Sequence, residues 1–195
     1  ESTEKRSAQS HSVSSTAELQ TAVKEAANGD TILLAANRYD LMSSLKIEKK
    51  LTIKPADTTK KVVIQYNGPA ETPAFEMNPM GELVLISVAL GGNEENYAFA
   101  SLKENMSSLY NLEDIDSEIS NFDYVLKGYK HSFSEYIKMK TTLMKNCNNG
   151  LELSAEDDDR GDYNAENIFV TDCRFENIGK NVIDYYRGGY DESTV

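Results

Sequence analysis

The chain has 195 residues, 39% of them hydrophobic, and carries 20 Lys and Arg against 32 Asp and Glu, a formal charge of −12. That balance excludes a surface that wraps nucleic-acid phosphates, which needs clustered cations, and no stretch is long and apolar enough to span a bilayer as a helix. One sizeable core, and so one domain, fits this length.

Residues 1–14 are rich in Ser, Glu, Lys and Gln without apolar periodicity and read as a flexible linker. His11 within it reads as a solvent-exposed side chain. From Ser15 to Asn28 the pattern is that of a helix. Ser15 is its N-cap with Glu18 three residues on, Leu19, Val23 and Ala26 recur at helical spacing, and Asn28-Gly29 supplies a left-handed stop. An amphipathic helix placed before a run of strands can plug the open end of a stack of coils, which would otherwise expose core and unpaired backbone.

Strand signals follow. Thr31–Ala36 is continuously apolar, Leu45–Ile47 and Leu51–Ile53 alternate, and Asn67-Gly68-Pro69 marks a turn between Val62–Gln65 and Ala74–Met77. Leu83–Leu90 reads as one strand ended by Gly91-Gly92, and Val125–Tyr136 as strand, turn and strand. The segment from Glu156 to Asp162 is a polar loop, and Ile168–Phe175 and Asn181–Tyr186 form a last strand pair.

Sliding Ile168 onto Ile137 brings Val170 onto Met139, Phe175 onto Met144, Asn177 onto Asn146, Ile178 onto Cys147 and Val182 onto Leu151. Apolar residues meet apolar ones, and an Asn at a bend meets an Asn. Leu51, Leu83, Leu109, Ile137 and Ile168 serve as equivalent strand starts. Self-similarity at a few tens of residues, with strands in each unit, predicts a parallel β-helix in which each coil buries its apolar face on the next. Unequal intervals point to loops of different length, where function is grafted. Cys147 and Cys173 fall out of register with each other, so two buried thiols are expected rather than a disulfide.

Ala17-Glu18-Leu19-Gln20-Thr21-Ala22-Val23, then Asn28-Gly29-Asp30-Thr31-Ile32-Leu33-Leu34, then Arg38-Tyr39 and Leu51-Thr52-Ile53-Lys54-Pro55, resemble the opening of the alginate lyases and chondroitinase B of polysaccharide lyase family six. The resemblance covers roughly residues 16–55 and 167–195. It implies a right-handed parallel β-helix behind a capping helix, a secreted or periplasmic location and an anionic, alginate-like polysaccharide as partner. The tail from Asn181 is most like the C-terminal β-helix of two-domain members, which implies a segment of a longer chain whose partner is a catalytic β-helix of the same protein. Catalytic helices of the family carry an Arg-His-Gly strand; this sequence has none, so the family's catalytic pair has no counterpart here.

Lysis of a uronic acid polymer needs a group that neutralises the carboxylate, a base for the proton on the adjacent carbon, and an acid for the leaving oxygen. Lys127, Lys130, His131 and Arg187 are the candidates for such chemistry, and Tyr185, Tyr186, Arg187 and Tyr190 for holding sugar. Glu156, Asp157, Asp158, Asp159 and Asp162 are candidates for calcium, the one cofactor the reading entertains. Each has a plainer reading: a surface pair of Arg187 with Asp184 or Asp191, an exposed loop at Lys130-His131, a solvated acidic run. Three functions stay open: an accessory module that shapes a lyase's substrate cleft, a calcium-assisted lyase in its own right, or a non-catalytic carbohydrate-binding or adhesion β-helix.

Overall fold

The computed structural model describes residues 6–104, 106–153 and 165–185, and the backbone of 193–194. Its strands form three parallel sheets, and from Asp30 onward consecutive strands fall in different sheets, so the backbone winds in three-strand coils as a right-handed parallel β-helix. The first sheet stacks Ser10–Val13, Asp30–Leu34, Lys50–Pro55, Glu82–Ile86, Asn111–Ile115, Tyr136–Lys140, Asn167–Thr171 and Ser193–Thr194. The second stacks Arg38–Leu41, Val62–Tyr66, Val88–Gly91, Glu118–Ser120, Leu143–Cys147 and Arg174–Ile178. The third stacks Leu45–Ile47, Pro73–Met77, Tyr97–Ser101, Tyr124–Gly128, Asn149–Leu153 and Ile183–Tyr185.

Parallel pairing puts like on like. Leu51, Leu83, Leu112, Ile137 and Ile168 form one inward column of the first sheet, each buried. Burying each such side chain contributes about 1.5–3 kcal/mol. Beside it run Ile32, Ile53, Leu85, Asp114, Met139 and Val170, so a carboxylic acid interrupts an otherwise apolar column. The fourth strand start is Leu112, not the expected Leu109, which is 36% exposed at the turn before the strand. Two leucines three residues apart are equivalent to local pattern reading; only pairing with Leu83 and Ile137 separates them.

Corners make the second difference. Leu83–Leu90 is two strands that meet at Ser87, and Ile168–Phe175 is broken at Asp172. Ser87, Asp116, Thr141 and Asp172 stand in one column with φ of 53°, 53°, 52° and 52°. Ser87 N donates to Ile115 O at 2.9 Å, Asp116 N to Lys140 O at 3.0 Å and Thr141 N to Thr171 O at 2.9 Å. The ladder is thus carried through a left-handed bend, and a corner whose flanks are apolar on both sides leaves no break in hydrophobicity. The next corner stacks Asn121, Asn146 and Asn177 at φ of 62°, 53° and 53°, where Asn is the side chain best suited to that conformation after Gly. Met144 pairs with Phe175 and Cys147 with Ile178 as expected, whereas Leu151 pairs with Ile183 rather than Val182 because the last turn is one residue longer.

The helix spans Thr16–Glu25. Ser15 Oγ accepts from Glu18 N at 3.1 Å, and the Glu18 carboxylate accepts in return from Ser14 N at 2.6 Å. Leu19 and Val23 are buried against the end coil, so the helix plugs it. Its stop differs from expectation: Ala26 leaves the helix at ψ 148°, and Gly29, at φ +92°, serves the turn into Asp30 instead. Lys49 Nζ caps the exposed carbonyls, donating to Lys24 O at 2.8 Å and Ala26 O at 2.7 Å.

The expected linker is not wholly a linker. Ser10–Val13 pairs with Thr31–Leu34 in parallel, and Asp30, fully buried, gathers the segment before it. His11 Nε2 lies 2.7 Å from Asp30 Oδ2, Arg6 Nη1 and Gln9 N donate to Oδ1 at 3.1 and 2.9 Å, and Ala27 N donates to Oδ2 at 2.9 Å. Burial of a charge requires such donors. Arg6, Gln9 and His11 come from a stretch with one apolar inward residue, Val13, too weak a pattern to read as a strand. Cys147 and Cys173 are both free thiols, but only Cys147 is buried as expected; Cys173, on the bend that opens the last strand of the second sheet, is half-buried.

Candidate functional site

The outer face of the third sheet concentrates the chemistry. Tyr97 and Tyr124 are register neighbours on adjacent coils, their rings edge to face at 5.2 Å. Three residues along each strand, Ala100 pairs with Lys127, and Lys127 pairs with Glu152 one coil further on. The Lys127 ammonium forms an ion pair with the Glu152 carboxylate, the two side chains being only 15% and 12% exposed. It also lies 5.0 Å from the Tyr124 ring and 5.7 Å from the Tyr129 ring, an arrangement in which ring faces attract a cation.

Burial first, then the negative charges of Glu152 and Asp123, pushes the Tyr124 phenol far above its ordinary value. Burial likewise raises Tyr97. Both phenols therefore remain protonated at neutral pH, able to donate a hydrogen bond but not to take a proton.

Beside this cluster runs a groove of about 460 Å³ whose lining includes Lys46, Glu76, Ala100, Lys103 and Tyr129. Ser101 Oγ accepts from Tyr129 N at 2.9 Å, fixing the wall, and the Lys103 ammonium sits 5.5 Å from the Tyr129 ring. A concave surface with a few convergent polar groups on rigid strands is what a small ligand or one unit of a polymer needs.

Of the residues singled out from sequence, Lys127 belongs to this site. Lys130 and His131 lie on the turn after Gly128, with His131 at φ +60° and its carbonyl accepting from Met106 N at 3.1 Å. Tyr185 packs partly against the core, pairs with Leu153 and donates its hydroxyl to Ala165 O at 2.5 Å. Tyr186, Arg187 and Tyr190, and the acidic residues Glu156, Asp157, Asp158, Asp159 and Asp162, lie outside the described residues. Among the described residues no three His, Cys, Asp or Glu side chains converge as a metal site requires. Sequence reading missed Tyr97, Tyr124, Tyr129 and Glu152. Their signal was a coil interval of 25 residues between Lys127 and Glu152, shorter than the interval that relates the last two coils.

No family model and no curated protein matches the sequence. Among solved structures, the PL6 family alginate lyase AlyGC superposes on 96% of this chain with a TM-score of 0.81 at 24% identity. The chain has the fold of a PL6 alginate lyase. A point mutant of AlyGC gives a TM-score of 0.82 at 26% identity over the same 96%. The chain spans 27% of the length of AlyGC, so its coils correspond to one segment of the PL6 enzyme. Within that PL6 fold the outer face of the third sheet, with its tyrosines, paired lysine and groove, is the surface best equipped to meet a ligand. No helix among the described residues is long and apolar enough to cross a membrane.

Proposed function

We propose that this chain is an accessory β-helix of an alginate-lyase-like polysaccharide lyase, shaping or extending a cleft for an anionic polysaccharide without performing the elimination. One observation carries this reading: the Lys127 ammonium is already matched by Glu152 and seated on tyrosine rings. A lysine whose charge is spent inside the protein neither neutralises a substrate carboxylate nor takes its α-proton. The phenols beside it, held protonated by burial, offer donors and apolar ring edges, which suit holding sugar. In the parent protein a separate catalytic β-helix supplies base and acid, and the setting is extracellular or periplasmic, where such polymers occur.

The test is to incubate the purified chain with alginate, with and without calcium, and to follow the ultraviolet absorbance of the unsaturated product alongside retardation in alginate-containing gels. Retardation without product is the expected result. Product formation that is lost in Lys127→Ala or Arg187→Ala overturns the accessory role in favour of a lyase, and neither retardation nor product favours an adhesion or structural β-helix.

A further inference from the structure

Three Asn-Gly pairs occur in the chain, Asn28-Gly29, Asn67-Gly68 and Asn149-Gly150, and the fold treats them unequally. An asparagine followed by glycine can close on itself, because the unhindered glycine nitrogen lies within reach of the side-chain carbonyl carbon one residue back. In a folded protein the reaction needs that nitrogen and that side chain to be released from other bonds. In the first pair both are clamped on Lys50. Gly29 N donates to Lys50 O at 2.7 Å, and Asn28 Oδ1 accepts from Lys50 N at 2.8 Å. In the third pair Gly150 N donates to Asn181 O at 2.9 Å, and the buried Asn149 side chain donates through Nδ2 to Asp123 O at 3.1 Å. The middle pair differs. Asn67 is exposed on the turn between Val62–Tyr66 and Pro73–Met77, and neither Gly68 N nor Asn67 Nδ2 donates to any of the described residues. The turn is held instead by the Gly68 carbonyl, which accepts from Asn93 Nδ2 at 3.2 Å and from Asn96 Nδ2 at 3.3 Å. Asn67 Oδ1 accepts from Gln65 Nε2 at 3.3 Å, so a donor already faces the oxygen that gains charge when Cγ is attacked.

We propose that Asn67-Gly68 is a site of self-modification, at which the folded chain converts Asn67 to aspartate and isoaspartate through a cyclic imide. Gly68 N gives its proton to water or hydroxide and bonds to Asn67 Cγ; the Cγ–Nδ2 bond breaks and ammonia leaves. Water then opens the imide. Cleavage of the bond from Cγ to Gly68 N leaves aspartate, and cleavage of the bond from the main-chain carbonyl carbon leaves isoaspartate, with the chain running through Cβ and Cγ. The sum consumes water and releases ammonia, with no oxidant or reductant. Either product adds a carboxylate, and isoaspartate also lengthens the main chain. Both changes fall on the turn whose Glu71 and Thr72 line the groove. Packing holds the reactive pair in place, since a β-carbon at Gly68 would collide with the Tyr66 hydroxyl. The fold thus requires the residue that makes the ring closure easy.

Age the chain at mildly alkaline pH, folded and in urea, map its peptides by mass, and score isoaspartate by isoaspartyl methyltransferase labelling. The expected result in the folded chain is conversion of Asn67 about tenfold or more faster than that of Asn28 and Asn149, with both products present. In urea, where all three pairs are released, their rates converge. Gly68→Ala would clash with Tyr66, so Asn67→Gln tests the chemistry instead: its larger ring closes more slowly, and labelling at this turn disappears while the thermal melt verifies folding. No conversion of Asn67, or equal rates at the three pairs in the folded chain, overturns the site. A preference for Asn67 that persists undiminished in urea belongs to local sequence and overturns the structural argument. Aspartate without isoaspartate means direct hydrolysis of the side chain and overturns Gly68 N as the nucleophile.

Discussion

Asn177 Nδ2 donates to Asn146 Oδ1 at 2.9 Å, joining one coil to the next at a corner where both residues hold φ +53°. The side-chain bond and the left-handed backbone are separate contributions, and substitution divides them. Asn146→Val loses the bond and forces a β-branched residue into positive φ, costing about 2–3 kcal/mol. Asn146→Gly loses the bond but keeps the conformation at ease, costing about 1 kcal/mol or less. Chemical denaturation at constant m-value measures both, and equal costs would show that the corner is not strained.

The Lys127–Glu152 pair is the next prediction. With both side chains little exposed, removing one partner strands the other in a poorly solvated place. Lys127→Met is expected to destabilise by about 1–3 kcal/mol, and Lys127→Met combined with Glu152→Gln by less than the sum of the single changes. A double-mutant cycle with no coupling between the two positions contradicts the arrangement.

Asp114 gives the fold a pH dependence. It is fully buried among apolar column neighbours, accepts from Thr142 Oγ1 at 2.7 Å, and its Oδ1 meets no partner among the described residues. Burial pushes its acid from 3.8 up to about 7. The folded chain therefore keeps a proton that the unfolded chain releases above 3.8. Stability falls as pH rises from about 4 to about 7 and levels off beyond, by an amount on the order of 4 kcal/mol. Asp114→Asn removes this slope and raises stability at pH 7 and above. Denaturant midpoints for the two proteins across pH 4–8 provide the comparison, and parallel profiles would exclude Asp114 as the source.

Asp30 has the opposite sign. His11 first, then the Gln9 and Ala27 amides and Arg6, hold its carboxylate well below the usual range. Its contribution is present above the unfolded value of 3.8 and is lost as pH falls beneath it. Asp30→Ala should release Ser10–Val13 from the first sheet, so that protease cleavage near Arg6 and amide exchange at Ser12 and Val13 quicken ahead of exchange in the interior coils. Unchanged exchange there would mean that strand pairing alone holds the segment.

Part of this was legible in the chain itself. Ser15 and Glu18 announce the helix start because capping acts over one turn, and Ile137, Met139, Met144 and Cys147 announce their partners because each coil repeats its apolar positions. The acid at Asp114 was passed over because Glu113 and Asp114 are adjacent carboxylates on opposite faces of the strand, and the run Leu112-Glu113-Asp114-Ile115 gives no hint of which of them faces inward. His11 looked like a tail residue because its partner, Asp30, lies 19 residues away beyond a helix.

Sequence alone determined that this protein is a plugged solenoid of parallel strands, since strand pattern, capping and coil-to-coil likeness are local or repeat at short range. The tertiary structure decided which side chains share a face, setting Lys127 against Glu152 and Tyr97 against Tyr124. The reason is physical: backbone pairing fixes the register between coils only after loops of unequal length have closed, and a one-residue change in any loop moves every outward residue of that strand to a different neighbour.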